Sequence, residues 1–125
     1  MDPTEPESML PPRPTALAQL LLREIIGAGD LVVDATAGNG HDTVFLAECA
    51  GAGGRVLAFD VQAAAIAAAR ARVAAAGLAP RVDFFQESHA MMDRRAAPGA
   101  VAAVMFNLGY QIGRASCRER VFRAV

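Results

Sequence analysis

Two acidic residues and two glycines occur at positions where they could bind a ligand together. Asp34 follows an apolar run and opens the stretch DATAGNGHD, in which Gly38 and Gly40 flank one residue. Glycines allow a sharp turn and a close approach of backbone to ligand, and the N–H groups of a helix start are available to an anion. Asp60 ends a second apolar run, and an acid at this spacing usually binds ribose hydroxyls. The pattern predicts a strand, a glycine turn and a helix that hold a nucleotide-like ligand.

Apolar runs and helical periodicity alternate along the chain and predict the elements that position these groups. Apolar runs typical of strands lie at 31–33, 55–59, 81–85 and 102–106. Helical patterns begin at residue 15 and after the glycine turn, and occupy 62–76 and 88–95. Strands that alternate with helices predict a parallel α/β sheet with right-handed crossovers.

Composition limits the class of protein. A chain of 125 residues with 54% hydrophobic and 20% charged residues is expected to form one small globular domain. No apolar run approaches membrane-spanning length and no signal peptide is visible, so we expect a cytoplasmic protein without membrane contact. Cys49, Cys117, His41 and His89 show no metal-ligand spacing. We therefore expect neither a metal site nor a disulfide framework.

The chain is divided into three parts by its composition. Residues 1–13 are rich in proline and acidic residues and are expected to be disordered, and Met9 is an alternative start. Residues 14–110 carry the periodic pattern and are expected to form a ligand-binding half-domain. Residues 111–125 form the third part, a C-terminal tail.

Four motifs in order resemble one family, the rRNA methylases among the class I S-adenosylmethionine-dependent methyltransferases. They are DATAGNGHDT at 34–43, AFDVQ at 58–62, Ser88-His89 and MFNLGY at 105–110, preceded by a similar helix at 16–26. The resemblance implies a Rossmann-like fold, here truncated after the fourth parallel strand. It also implies methylation of the aminomethyl group on a modified wobble uridine in the anticodon loop of tRNA. A homodimer of the full-length protein is one candidate oligomeric state.

The same resemblance implies S-adenosylmethionine as cofactor and assigns residues to each part of it. Asp34 can accept from the ammonium group, the N–H groups near Gly38 and the helix start can bind the carboxylate, and Asp60 can accept from the ribose hydroxyls. Ser88 and His89 follow strand three, where similar enzymes hold the adenine edge. The remaining candidate cofactor-binding residues are Thr36, Asn39, Gly40, His41, Asp42, Val61 and Gln62.

A candidate substrate site follows the fourth strand. Asn107-Leu108-Gly109-Tyr110 is similar in form to the Asn-Pro-Pro-Tyr motif of other methyltransferases, in which the Asn carbonyl accepts amine protons and the aromatic ring faces the cationic centre. We expect Asn107 and Tyr110 to be the catalytic pair that orients the amine, and Gly109 to allow its close approach. Without the resemblance, Asn107 would be interpreted as a turn residue.

Simpler interpretations remain for several of these residues. Asp34 and the glycines could form only a tight turn, His41 is more typical of a helix start than of a catalytic base, and His89 could cap its helix. A dinucleotide-dependent oxidoreductase would share the glycine turn and the following acid. Thr43, however, stands where the third glycine or alanine of G-x-G-x-x-G belongs.

The sequence departs from the family in two places. Family members carry an acidic residue where this chain has Ala90. After Tyr110 the family continues with Leu-Pro-Gly-Gly, whereas Ile112 to Val121 back-translates as ATC GGA AGA GCG TCG TGT AGG GAA AGA GTG, which resembles a sequencing adaptor. We interpret 111–125 as an artefact fused to a gene fragment. The rival is a basic tail that binds RNA through arginines, namely Arg114, Arg118, Arg120 and Arg123.

This interpretation has consequences for charge and solubility. Without the tail the chain holds eight basic and twelve acidic residues, a net charge of −4, which disfavours nonspecific nucleic-acid binding. Strand four would be left with a bare edge, which predicts poor solubility. An inactive fragment that binds only cofactor or RNA is therefore an alternative function for the chain.

Overall fold

The computed structural model describes residues 14–97, 99–106, 112–114 and 122–124. Its elements follow the predicted alternation of helices and strands. In chain order they are α1 (Pro14–Ile25), β1 (Leu31–Asp34), α2 (His41–Ala50), β2 (Arg55–Phe59), α3 (Ala63–Ala75), a 3₁₀ turn (Ala79–Arg81), β3 (Val82–Phe85), a 3₁₀ helix (His89–Arg94), β4 (Val101–Met105), β5 (Ile112–Arg114) and β6 (Phe122–Ala124). The predicted helix at 88–95 is thus a 3₁₀ helix.

The described strands form one sheet with the order β3-β2-β1-β4-β6-β5. Strands β1 to β4 are mutually parallel where they pair, with Val32 opposite Val56 and Val33 opposite Val104. The predicted parallel sheet is confirmed. Since β1 lies in the middle with β2 and β4 on its two sides, the carboxyl ends of these strands meet at the same edge of the sheet.

Three helices cover one face of the sheet. Leu22 of α1, Leu46 of α2 and Val73 of α3 are fully buried in a single apolar cluster with Val32 and Val56 of the sheet. Helix α3 is composed mainly of alanines, which have the highest helix propensity and permit close packing. Each fully buried Leu or Val contributes about 1.5 to 3 kcal/mol relative to exposure.

A second apolar cluster lies on the opposite face. It contains Val33, Leu57 and Phe59, with Phe85 and Met92 packed against it. Phe59 is the largest fully buried side chain, and its ring stacks on Phe85 with 5.2 Å between centroids. The segment after β3 is therefore attached to the sheet through aromatic contacts at the carboxyl ends of β2 and β3.

The prediction that β4 would have a bare edge is wrong. Strand β6 pairs with β4 in parallel, with Val104 opposite Arg123 and Met105 opposite Ala124, and β5 pairs with β6 in antiparallel fashion. Short segments from the C-terminal stretch supply the backbone groups that a parallel strand needs on its second side. The interpretation of residues 111–125 as an artefact concerns the coding sequence and stays a prediction. Residues 1–13, which were expected to be disordered, lie outside the described residues.

Within the described part of the chain, no helix is long and apolar enough to cross a membrane. The same residues contain no group of three or more His, Cys, Asp or Glu side chains that could hold a metal ion.

Candidate functional site

The site is built at the carboxyl ends of β1 and β2. Asp60 follows β2 and its Oδ2 accepts a hydrogen bond of 3.1 Å from the N–H of Gly38, although 22 residues separate them. Its Oδ1 accepts from the N–H of Gln62 at 2.9 Å. A carboxylate oxygen has two lone-pair sites, so Asp60 can accept further hydrogen bonds from hydroxyl groups. The acid and the glycine turn predicted from separate motifs form one site.

Gly38 and Gly40 have different roles in the turn. Both have positive φ, +55° and +92°, which side chains other than glycine rarely adopt. Among the described residues, a Cβ at Gly38 would have only the Thr36 carbonyl oxygen near it, at 3.9 Å, which leaves space for a ligand on this side of the turn. A Cβ at Gly40 would lie 2.8 Å from the Ala69 Cα of α3. Gly40 thus makes room for α3, and its approach to a ligand stays a prediction.

Asp34 is buried beneath the turn. Only 1% of its surface is exposed, its Oδ2 accepts a 2.6 Å hydrogen bond from the Thr43 hydroxyl, and its Oδ1 accepts from the Thr36 N–H at 3.2 Å. Burial raises the pKa of Asp34 from 3.8 to about 7, against the opposing effect of the Thr43 hydroxyl. In this structure Asp34 ties β1 to the start of α2, and its contact with a ligand ammonium stays a prediction.

The start of α2 supplies backbone donors. Gly40 is its N-cap, with no side-chain capping bond, and the N–H groups of the first turn have no carbonyl partner within the helix. Asp42 lies in this first turn, and partial burial raises the pKa of its carboxyl. The donors lie directly after the open side of Gly38, where a ligand carboxylate would be stabilised by the helix dipole.

Among the predicted site residues, His41 faces another part of the surface. The exposed His41 lines an open groove of about 600 Å³ between α2 and α3, together with Val44 and Arg72. Arg72 also donates from Nε to the Asn39 carbonyl at 2.9 Å. The groove therefore adjoins the glycine turn from the helix side, and neither Asp34 nor Asp60 lines it.

The residues after Asp60 are exposed. Val61 has 64% of its surface accessible, and the side chain of Gln62 is exposed as well. An exposed apolar side chain beside a carboxylate can cover one face of a flat ring, and the cofactor-binding roles of Val61 and Gln62 stay predictions.

Ser88 and His89 follow β3, which ends at Phe85. The Asp60 N–H donates to the Phe85 carbonyl at 3.2 Å, which brings the chain that leaves β3 next to Asp60. Ser88 Oγ accepts from the Ala90 N–H at 3.1 Å and so caps the 3₁₀ helix. The capping residue of this helix is thus Ser88 and not His89. The His89 ring packs edge-on against Phe106, with 4.9 Å between ring centroids.

The candidate substrate residues Asn107, Leu108, Gly109 and Tyr110 lie outside the described residues. Phe106, directly before them, is described and contacts His89. The roles of Asn107 and Tyr110 stay predictions.

Sequence reasoning missed several contacts that shape the site. Thr43 was considered only as a departure from a glycine motif, although it donates to Asp34. Glu87 and Arg95 were not singled out, yet they form two hydrogen bonds of 2.8 and 3.0 Å across the segment that holds Ser88. A Glu and an Arg flanking a short predicted helix would have been the signal for this pair.

Comparison with known proteins agrees with this geometry. A model of the family described as "Putative rRNA methylase" matches residues 56–115. The chain is 40% identical to a structure described as a putative rRNA-methylase from Clostridium thermocellum, with a TM-score of 0.76 over 81% of this chain and 54% of that one. It is 30% identical to a putative methyltransferase from Streptococcus mutans in complex with SAH, with a TM-score of 0.71 over 82% of this chain and 55% of the other.

A curated relative from Arabidopsis thaliana is named tRNA (mnm(5)s(2)U34)-methyltransferase, chloroplastic. It is 35% identical over 108 residues, which cover 79% of this chain and 39% of the relative. The chain thus spans about half the length of the structures, and less of the curated relative.

The parallel sheet and the acids at its strand ends, together with these matches, define a class I methyltransferase fold. Within that class, the chain is similar to the putative rRNA methylase family, whose model matches just under half of its residues.

Proposed function

We propose that this chain is the cofactor-binding part of an S-adenosylmethionine-dependent methyltransferase that methylates the aminomethyl nitrogen of a modified wobble uridine in tRNA. The activity named for the Arabidopsis relative and the SAH bound to the Streptococcus mutans structure support the proposal. Because the chain spans only part of these relatives, the complete reaction belongs to the full-length protein.

The observation that carries the proposal is the hydrogen bond between Gly38 and Asp60. It places a carboxylate, an open glycine turn and the N–H groups of a helix start within one site. S-adenosylmethionine presents ribose hydroxyls and a carboxylate, which have partners of suitable charge there, and an ammonium, for which Asp34 is the proposed partner. The donor and acceptor set therefore fits this cofactor.

The cofactor would supply an electrophilic methyl group on a sulfonium. The protein must then hold a neutral amine in line with that methyl and exclude water, and no strong base is needed. Asp60 would fix the ribose, and the start of α2 would bind the carboxylate. Asn107 would accept the amine protons, and Tyr110 would face the developing positive charge.

The tRNA would bind through its anticodon loop. A wobble base in a loop is unpaired, so no duplex has to be opened. Without its last fifteen residues the chain has a net charge of −4, so the RNA contacts would come from a local basic patch or from the rest of the protein. A cytoplasmic location and a homodimer of the full-length protein complete the proposal.

Calorimetric titration with S-adenosylhomocysteine tests cofactor binding on the chain itself. We expect binding, and an affinity about tenfold or more lower in Asp60→Asn because the neutral amide accepts more weakly from hydroxyls than a carboxylate does. Asp83→Asn is the matched control, since Asp83 is a partly exposed aspartate on β3 that pairs with Arg55 away from the site. Tight binding of NAD without binding of S-adenosylhomocysteine would instead support an oxidoreductase.

Methyl transfer is tested on a protein restored to full family length. Labelled S-adenosylmethionine is supplied with tRNA that carries the aminomethyl group without its methyl. We expect label in the tRNA, and none with Asn107→Ala or Asp60→Ala. Label that enters only rRNA would contradict the tRNA substrate. Cofactor binding without any transfer would support the alternative of a binding fragment.

A further inference from the structure

The segment between β3 and β4 begins beside the candidate site and has little structure of its own to hold it there. We define it as the 87–95 segment, from Glu87 to Arg95. It contains a six-residue 3₁₀ helix with no buried residue, and such helices have poorer hydrogen-bond geometry than α-helices. Ser88 and His89 lie at its start, three and four residues after Phe85, whose carbonyl accepts a 3.2 Å hydrogen bond from the Asp60 N–H. Other contacts must therefore fix its position.

An ion pair joins the two ends of the segment. Arg95 donates from Nε to Glu87 Oε1 at 2.8 Å and from Nη2 to Glu87 Oε2 at 3.0 Å. Two parallel bonds of this kind form the side-on bidentate arrangement. The hydrogen bond from Arg95 lowers the pKa of Glu87, so the carboxylate stays ionised to lower pH than a free glutamate does. The pair closes a loop of nine residues whose first turn carries Ser88 and His89.

The same arginine attaches the loop to the core. Its Cζ lies 4.4 Å from the ring centroid of Phe85, and Phe85 stacks in turn on the fully buried Phe59. Guanidinium groups favour such positions over aromatic faces. The contacts run from the buried core of the sheet through Phe85 to Arg95 and then to Glu87, the residue directly before Ser88.

We infer that Glu87 and Arg95 are positioning residues that set the 87–95 segment against the adenosine end of the bound cofactor. This inference rests on the proposed function and deepens it, because nothing else assigns a role to either residue. The pair acts through Ser88 and His89 and does not itself touch the ligand. With the pair broken, the loop occupies its binding-competent position for a smaller fraction of the time, and the apparent affinity falls by that fraction.

The test compares two ion pairs of the same kind. Arg95→Gln and Glu87→Gln break the pair at the site. Arg55→Gln breaks the pair between Arg55 and Asp83, a single hydrogen bond of 2.9 Å between more exposed side chains at the opposite end of β2. The affinities are measured by calorimetry at a temperature well below the melting temperature. The two ligands are S-adenosylhomocysteine and 5′-methylthioadenosine, which lacks the amino-acid end. Amide hydrogen exchange of Ala90 reports the order of the loop without ligand.

We expect Arg95→Gln and Glu87→Gln to weaken both ligands by the same factor, about threefold to fivefold, and to accelerate exchange at Ala90. Arg55→Gln should lower the melting temperature without changing either quantity. Wild-type binding with unchanged affinity in the two site variants would overturn this inference alone, as would an equal loss in Arg55→Gln. Failure of the wild type to bind either ligand would overturn the proposed function as well.

Discussion

The Asp34 carboxyl should make the stability of the fold depend on pH. Its pKa lies at about 7 in the folded protein and at 3.8 in an exposed chain, because burial disfavours the ionised form. Between these values the folded state binds more protons than the unfolded state, so the free energy of unfolding falls as pH rises from about 4 to 7. Above pH 7 the Asp34 contribution no longer changes. Asp34→Asn removes the titrating group while retaining an oxygen that can accept from Thr43.

The magnitude follows from linkage. Each pH unit in this window changes the free energy of unfolding by about 1.4 kcal/mol for one fully buried group, so the two units from pH 5 to pH 7 correspond to about 3 kcal/mol. The wild type should therefore lose about 3 kcal/mol more stability between pH 5 and pH 8 than Asp34→Asn does. Burial also raises the pKa of Asp42, and because the Asp42 charge contributes to the raised pKa of Asp34, the Asp42 contribution cancels only in part in the difference.

Urea denaturation followed by far-UV circular dichroism gives these free energies, since the chain has no Trp and a single Tyr. Asp93→Asn, at an exposed position in the 3₁₀ helix, is the control and should retain the wild-type pH dependence. An identical loss of stability with pH in the wild type and in Asp34→Asn would refute the assignment of a raised pKa to Asp34.

Two further predictions concern other parts of the fold. Gly40→Ala should destabilise the protein by about 3 kcal/mol in the same denaturation assay, because a positive φ of +92° and a contact of 2.8 Å with the Ala69 backbone add together. Gly77→Ala, at a φ of +76° with no described residue within 4 Å of the added Cβ, should cost only about 1 kcal/mol, and equal losses would contradict this explanation. In a Cys117→Ser background, Cys49 should react with iodoacetamide at pH 8 more slowly than a free thiol, because burial raises its pKa. A rate equal to that of glutathione would contradict it.

The candidate site was predictable where its residues are close in sequence or follow a known pattern. Asp60 could be located because it ends an apolar run at a fixed distance from a glycine turn, and the hydrogen bond to Gly38 confirms that the two lie together. Ser88 could be assigned as the start of a short helix, and it is the N-cap. These features depend on local propensity and on the rule that parallel strands end at the same edge of the sheet.

Contacts between distant residues could not be predicted in the same way. Arg72 donates to a carbonyl 33 positions earlier, and the pairing of β4 with β6 depends on a stretch that the sequence suggested was foreign to the fold. Neither contact follows a periodicity, because each depends on how separate elements are placed in space.

The sequence by itself determined the order and type of the elements from α1 to β4 and the positions of the glycine turn and Asp60. Apolar periodicity and turn residues act over a few positions, and no packing information is needed to interpret them. Only the tertiary structure decided that Asp34 is buried beneath Thr43, that Gly40 makes room for α3, and that Glu87 and Arg95 join the ends of one loop. Burial, close backbone approach and ion pairing across a loop depend on distances between atoms, and those are set when the helices pack on the sheet.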